Sequence, residues 1–201
     1  MTKGKKIYNN FLDKGKDRAL FWKLKKKDEN AFLEVYERYV DDVYRFVYFK
    51  VGGSEEAQDI TSIVFLKTWN YVQENKLQES KSLKSFVYKV ARNCVVDYYR
   101  QNRVGQTVDI DDEDSGVDLT DESQDIAREV ELSLEIALVK EKLNELKDEY
   151  REIIILRYIN ELSFSEIAEI TGRSKNSTRV LVHRALKTLR DILEEEKKFK
   201  S

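Results

Sequence analysis

Not one of the 201 residues of this chain is proline, and only 7 are glycine. Proline presets turns, and glycine supplies the positive-φ corners on which hairpins and phosphate-cradling loops depend. A chain so poor in both has few means of terminating strands, so an all-α fold is expected. At roughly 150 residues per domain, the length accommodates one or two small helical domains, each with its own core. The single cysteine, Cys94, excludes an internal disulfide framework and a multi-cysteine zinc site. No stretch approaches the ~18 apolar residues of a membrane span, and no signal-peptide core follows the basic N-terminus. A cytoplasmic protein is expected.

Charge sharpens the division. Lys and Arg number 36 against 38 Asp and Glu, a formal net charge of −2, but the parts are unequal. Residues 1–27 carry +8, 81–105 carry +5, 106–131 carry −10 and 163–201 carry +3. Segregated charge speaks of partners rather than of fold. The acidic stretch, Asp109-Ile110-Asp111-Asp112-Glu113-Asp114 onward to Asp125, repels itself and has too few apolar groups to repay ordering, which reads as a linker. The chain then divides into a basic extension over 1–27 leading into the first helix, a three- to four-helix bundle over 20–104, an acidic linker over 105–127, a helix-turn-helix domain over 128–193 and a charged tail over 194–201.

In the first half, Phe32, Val35, Tyr36, Tyr39, Val40, Val43, Phe46 and Val47 recur at three- and four-residue spacing, one face of a helix that Gly52-Gly53 ends. Ser54 is placed to cap a second helix with the stripe Ala57, Ile60, Val64, Phe65, Thr68, Trp69 and Val72. A third helix buries Leu83, Phe86, Val87, Val90, Ala91, Cys94 and Tyr98. Its other side gathers Tyr88, Lys89, Arg92, Asn93, Tyr99, Arg100 and Arg103. Two readings fit: a solvated face with tyrosines half buried on neighbours, or a surface for single-stranded nucleic acid, where rings stack on bases and cations meet the backbone.

The second half carries a sharper signal. Ser163-Phe164-Ser165-Glu166 has the spacing of a capping box, Gly172 suits a left-handed turn, and Ser174 is placed to cap the following helix. A small residue at Ala168 allows the two helices to cross closely, giving a helix-turn-helix whose second helix belongs in the major groove. Thr178, Leu181, Val182, Ala185, Leu186 and Leu189 form its buried stripe, leaving Lys175, Asn176, Arg179, His183, Arg184, Lys187 and Arg190 outward. Nearly all are donors suited to phosphates and to the acceptor edges of bases. A charged surface hairpin is the plainer alternative. His183, the only histidine, has no second histidine or cysteine to complete a metal site. Walker, GxGxxG, HExxH and GxSxG motifs are absent, so no catalytic role and no cofactor is expected.

Both halves together resemble one family, the bacterial RNA polymerase sigma factors of the compact extracytoplasmic-function (ECF) type. In the first half the resemblance lies in Ala31 to Tyr39, Ala57-Gln58-Asp59-Ile60 with Phe65 and Trp69, and Phe86 to Asn93 with Asp97-Tyr98-Tyr99-Arg100, which look like region two. In the second it lies in Leu143-Asn144-Glu145-Leu146 with Arg151, Ser163 to Ala168, and His183-Arg184-Ala185-Leu186 with Leu189-Arg190, which look like region four. Lys147 stands where the family usually has proline, and Leu181 where arginine is frequent.

The resemblance implies a transcription initiation factor with core RNA polymerase and promoter DNA as partners, and leaves room for an anti-sigma protein. Asp59, Ile60, Phe65 and Trp69 would dock the polymerase. Lys81, Ser82, Lys84, Ser85, Phe86, Tyr88, Lys89, Arg92, Asn93, Tyr99 and Arg100 would engage the melted minus-ten strand, with a base taken out of the stack. Ser174, Lys175, Asn176, Ser177, Arg179, His183, Arg184 and Lys187 would read the minus-thirty-five duplex, while the acidic linker threads the polymerase's positively lined channel. The rival is a stand-alone helix-turn-helix regulator with a sensor or dimerisation bundle, which has no need of a basic aromatic third helix.

Overall fold

Helical periodicity runs on both sides of the acidic stretch, and every regular element in the computed structural model is helical among the residues it describes, 17–77, 82–105 and 126–199. The acidic core of the expected linker, the first 16 residues and Lys81 lie outside those residues.

A short helix α1 over residues 17–25 buries Leu20 and Leu24 and leads into α2, Glu29–Val51. Asp28 caps α2: its carboxylate accepts from the amides of Asn30 at 2.9 Å and Ala31 at 3.2 Å, satisfying two of the donors that a helix start leaves open. Asp17 ties the two helices together by accepting from Arg38 at 2.8 Å and from the Tyr39 hydroxyl at 2.7 Å. Gly52, at φ +97°, turns the chain out of α2. The cap of α3, Ser54–Gln73, then falls on the extended Gly53, so Ser54 is the first helical residue rather than the cap expected from its side chain. The helix α4, Leu83–Gly105, completes a bundle in which α2, α3 and α4 pack pairwise.

The second half comprises α5, Ile126–Asn144, α6, Asp148–Ile154, a π-helical turn over Ile155–Ile159, α7, Phe164–Thr171, and α8, Lys175–Phe199. Lys147, in place of a proline, occupies the N-cap position of α6, so the helix starts without that rigid residue. The run Ile153 to Leu156 is buried on all four residues because α6 and the π turn are enclosed by α2, α7 and α8. The capping box of α7 is complete: the Ser163 amide donates to Glu166 at 2.7 Å and the Glu166 amide to the Ser163 hydroxyl at 3.3 Å. Gly172 sits at φ +70°, and Ser174 accepts from the Ser177 amide at 3.1 Å to start α8. The helix α8 continues through the segment expected as a tail as far as Phe199.

The two halves share one continuous core. The helix α4 packs on α7, and α2 packs on the π turn.

Two substitutions separate the contributions to the helix-turn-helix corner. Nothing lies within 4 Å of a Cβ built on Gly172, so Gly172→Ala meets only the left-handed backbone and should cost about 1–2 kcal/mol. Ser163→Ala, which removes the cap, should cost about 1 kcal/mol. Urea unfolding reads both, and a loss of no more than a few tenths would show that the corner is set elsewhere.

Candidate nucleic-acid interface

The start of α8 is built to present side chains outward. Thr178, Leu181, Val182 and Ala185 are buried against the rest of the second half, and Thr178 returns its hydroxyl to the Ser174 carbonyl at 3.0 Å. The complementary face is open: Ser174, Lys175, Asn176, Ser177, Arg179, His183, Arg184 and Lys187 are all exposed. The Arg179 guanidinium lies 5.7 Å from the Phe164 ring centroid, and Arg157 holds the same ring at 4.6 Å while donating to the Leu162 carbonyl at 2.7 Å. Phe164 thus lies beneath the guanidinium of an exposed arginine. Leu181 is core, at the position where the family often has a cation.

The helix α4 is different. Part of its expected outer face falls on a second covered stripe, in which Tyr88, Arg92 and Tyr99 align with the buried Ser85 and Val95 about one turn apart. Tyr88 is fully buried, its ring edge-on to Phe46 at 5.8 Å, and its hydroxyl, beside Asn160, makes no hydrogen bond. Burial foremost, with the negative Asp42 nearby, raises the Tyr88 phenol above its ordinary pKa. Phe86 is also core, packed edge-on to Tyr71 at 6.0 Å. Tyr88, Phe86 and Ser85 therefore do not line an open surface in this arrangement; apolar surroundings recover more free energy from these rings than exposure would. Ser82 caps α4 through the Ser85 amide at 3.1 Å.

Two cations of that face, Arg92 and Lys89, meet carboxylates of the second half. Glu152 takes the Arg92 guanidinium with both oxygens, at 2.7 Å from Nε and 3.2 Å from Nη2. That hydrogen bond, working against burial, raises the Arg92 pKa further above its ordinary value. The Lys89 ammonium lies 4.0 Å from Glu169 of α7. Lys50, buried at the end of α2, bonds Asp148, and the Tyr99 hydroxyl donates to the Lys50 carbonyl. Burial pushes the Asp148 carboxyl up, but Lys50 and Arg151 together hold it below the usual range. Asn160 adds a bond to the Asp42 carbonyl at 2.7 Å. Asn93 and Arg100 stay exposed, Arg100 3.2 Å from Asp97, and Lys84 lines a cleft of about 930 Å³ between the halves. The cleft brings Arg38, Lys84, Arg173 and Lys175 against Asp17, Asp42, Glu166 and Glu169, so neither sign prevails in it.

On α3 the expected docking residues separate. Asp59 is exposed, whereas Ile60 and Phe65 are core and Trp69 is half-buried at 4.8 Å from the Phe32 ring. The last three pack beneath the outer face of α3, so among the four expected docking residues Asp59 alone is fully exposed. The apolar groups presented beside Asp59 are Ile63 and Leu66, with Leu33 and Tyr36 exposed on neighbouring α2. Sequence reasoning passed over Ile63 and Leu66 because the stripe Ala57, Ile60, Val64 accounted for the buried side. It also passed over Lys50, Asp148 and Glu152. The legible signal was a carboxylate leading the apolar run Ile153 to Leu156, where burial demands a partner.

Among the described residues no group of three or more His, Cys, Asp or Glu is arranged to hold a metal ion, and no helix is long and apolar enough to cross a membrane. Cys94 is buried, and burial foremost pushes its thiol above its ordinary pKa.

Comparisons with known proteins agree with this layout. Residues 35–104 match Sigma-70 region 2, and residues 136–189 match Sigma-70, region 4. The ECF RNA polymerase sigma factor SigW of Bacillus subtilis is 30% identical over 177 residues, covering 85% of this chain and 92% of that protein. The ECF sigma factor SigM of the same organism is 29% identical, covering 79% and 93% respectively. Among solved structures, CnrH in complex with the cytosolic domain of CnrY superimposes with a TM-score of 0.68 at 19% identity, covering 89% of this chain and 97% of that one. The sigma factor RpoE from Bartonella quintana, crystallised with the anti-sigma factor NepR, gives 0.58 at 20% identity, covering 81% and 96%. These two structures bear on the fold.

Tyr88 offers a direct check on the buried stripe. Tyr88→Phe removes an unsatisfied buried hydroxyl and should leave stability unchanged or slightly raised. Tyr88→Ala should cost about 3–5 kcal/mol through the cavity it leaves. Equal and small effects of both in thermal unfolding would place the ring at the surface.

Proposed function

From the premise that the chain belongs to the ECF RNA polymerase sigma factor family, and so is a sigma factor for transcription initiation, we propose that it joins core RNA polymerase and directs it to a subset of promoters. It reads the minus-thirty-five element as duplex and promotes melting at minus ten, working in the cytoplasm and catalysing no reaction of its own. The units are a region-two domain over 20–104 and a region-four domain over 128–193, joined by the acidic segment 105–127.

One observation carries the reading most directly: the capping box, the left-handed Gly172 and the Ser174 cap hold α8 so that eight polar and cationic residues from Ser174 to Lys187 face solvent together. A helix start presenting donors is the form that enters a major groove, and its arginines and lysines suit both phosphates and guanine edges. Polymerase docking is assigned to the outer face of α3, with Asp59 flanked by the exposed Ile63 and Leu66; a charge beside apolar groups is the mixture that protein interfaces favour. Strand capture is assigned to α4 through Lys89, Arg92, Asn93, Tyr99 and Arg100, with Ser82 and Lys84 at its start. A stand-alone regulator is not favoured, because region 2 is matched alongside region 4.

The test is reconstitution of the full chain with core RNA polymerase on promoters selected from a random pool, read by run-off transcription. Promoter-specific initiation is expected; duplex binding without any initiation would overturn the reading. Arg179→Ala should weaken binding to the selected duplex and lower the slope of log affinity against log salt by about one unit. Asp59→Arg should impair holoenzyme assembly with helical circular dichroism unchanged, and normal assembly would remove Asp59 from the docking face.

A further inference from the structure

Cations that meet no carboxylate gather at two places among the described residues. One is the exposed face of α8 already assigned to duplex DNA. The other is α1 with the turn after it, where Arg18, Lys23, Lys26 and Lys27 are exposed. Elsewhere pairing is common: Arg38, Arg45, Lys67, Lys89, Arg92 and Arg100 each have an Asp or Glu within 4.0 Å. Amid the α1 cations stands Trp22, 56% exposed, with Arg18 one turn before it and the Lys25 ammonium 5.2 Å from its ring centroid. We propose that α1 is a further contact for separated DNA: the Trp22 ring stacks on an unpaired base of the strand that α4 engages, and Arg18, Lys23 and Lys26 meet its phosphates. The inference rests on the reading of the chain as a factor that opens promoters, and α1 lies outside both matched regions, 35–104 and 136–189.

The helix turns Leu20 and Leu24 into the core, and Asp17 fixes it to α2 through Arg38 and the Tyr39 hydroxyl, so its outer surface is held in place. Asp17 also lines the cleft that holds Ser82 and Lys84 at the start of α4, which puts α1 beside the place assigned to strand capture. Stacking suits the exposed ring, because every base offers a face, and the flanking cations supply the charge that a phosphodiester backbone needs. Lys25 lies 5.2 Å from the Phe21 centroid as well as from that of Trp22, a contact that orients the indole and leaves more than half of it open. An anionic membrane fits less well: an interfacial helix lays a whole apolar face in the lipid boundary, and here that face is buried in the bundle. A protein surface also fits less well, since protein interfaces are depleted in lysine.

The experiment uses the full chain reconstituted with core RNA polymerase on a selected promoter whose minus-ten segment is left unpaired, with fluorescence anisotropy reading affinity. Trp22→Ala should weaken binding about tenfold, the worth of one stacked base, and Trp22→Phe should keep most of the affinity. Neither should change binding to a duplex carrying the minus-thirty-five element alone. Replacing Arg18, Lys23 and Lys26 together by Ala should lower the slope of log affinity against log salt by about two units, as expected for three single-strand phosphates. These side chains are exposed, so helical circular dichroism should stay unchanged in every variant. A photo-crosslinking p-benzoylphenylalanine in place of Trp22 should join the unpaired strand. Attachment to a polymerase subunit instead would overturn the α1 contact, as would pelleting of the full chain with phosphatidylglycerol vesicles in a Trp22-dependent manner without any DNA crosslink. Promoter-specific run-off transcription with affinity and salt slope unchanged in the variants would overturn the α1 contact alone. Absence of promoter-specific initiation by the unaltered chain would overturn the reading on which it rests.

Discussion

Glu152 leads four consecutive buried apolar residues and is almost wholly buried itself. A lone carboxylate in that position would carry a desolvation penalty of several kcal/mol, and the two-point bond from Arg92 is what makes the placement tolerable. Arg92 belongs to α4 and Glu152 to α6, so the pair spans the acidic segment and sets how the halves meet. Once it forms, the rest of the seam is in register. Asp148 reaches Lys50 one turn away and Asn160 finds the Asp42 carbonyl, while within the first half Tyr99 bonds the Lys50 carbonyl and Tyr88 packs against Phe46.

The two cationic faces are thereby left in different surroundings. The outward face of α8 is open, because its buried stripe is satisfied within the second half and nothing else packs on the donors. On the cationic face of α4, Arg92 and Lys89 meet carboxylates of the second half, while Asn93 and Arg100 stay exposed. Net neutrality belongs to the same picture: the −2 of the whole chain is a sum over segments of opposite sign, and Arg92 of the basic 81–105 segment meets Glu152 directly.

Much of this was legible in the residues. The corner from Ser163 to Ser174 could be read outright, because a capping box, a glycine at a left-handed position and a serine cap are local devices that need no distant partner. The apolar stripes of α2, α3 and α4 were legible for the same reason. Reading failed where a residue's neighbour lay far along the chain. Tyr88 has the spacing of an outward residue on the first stripe of α4, and its burial came from a second stripe with Val95 that faces α7 and the π turn region. Ile60 and Phe65 lie on the inner side of α3 by the same periodicity that named them, so motif similarity alone had turned them outward. Gly53 displaced Ser54 as a cap because the path of the backbone out of Gly52, rather than side-chain chemistry, chose the first helical residue.

The sequence by itself determined that the chain is helical, where its helices turn, which face of α8 is polar and that the charges are segregated. These follow from propensity, periodicity and capping, whose range is a turn or two of helix. Only the tertiary structure decided which charges neutralise one another and which faces water reaches. Helical periodicity assigns a residue to a side of its helix, but whether that side is covered depends on contacts such as Arg92 with Glu152, 60 residues apart in the chain. Electrostatic pairing and burial are properties of distance in space, and only the folded chain sets those distances.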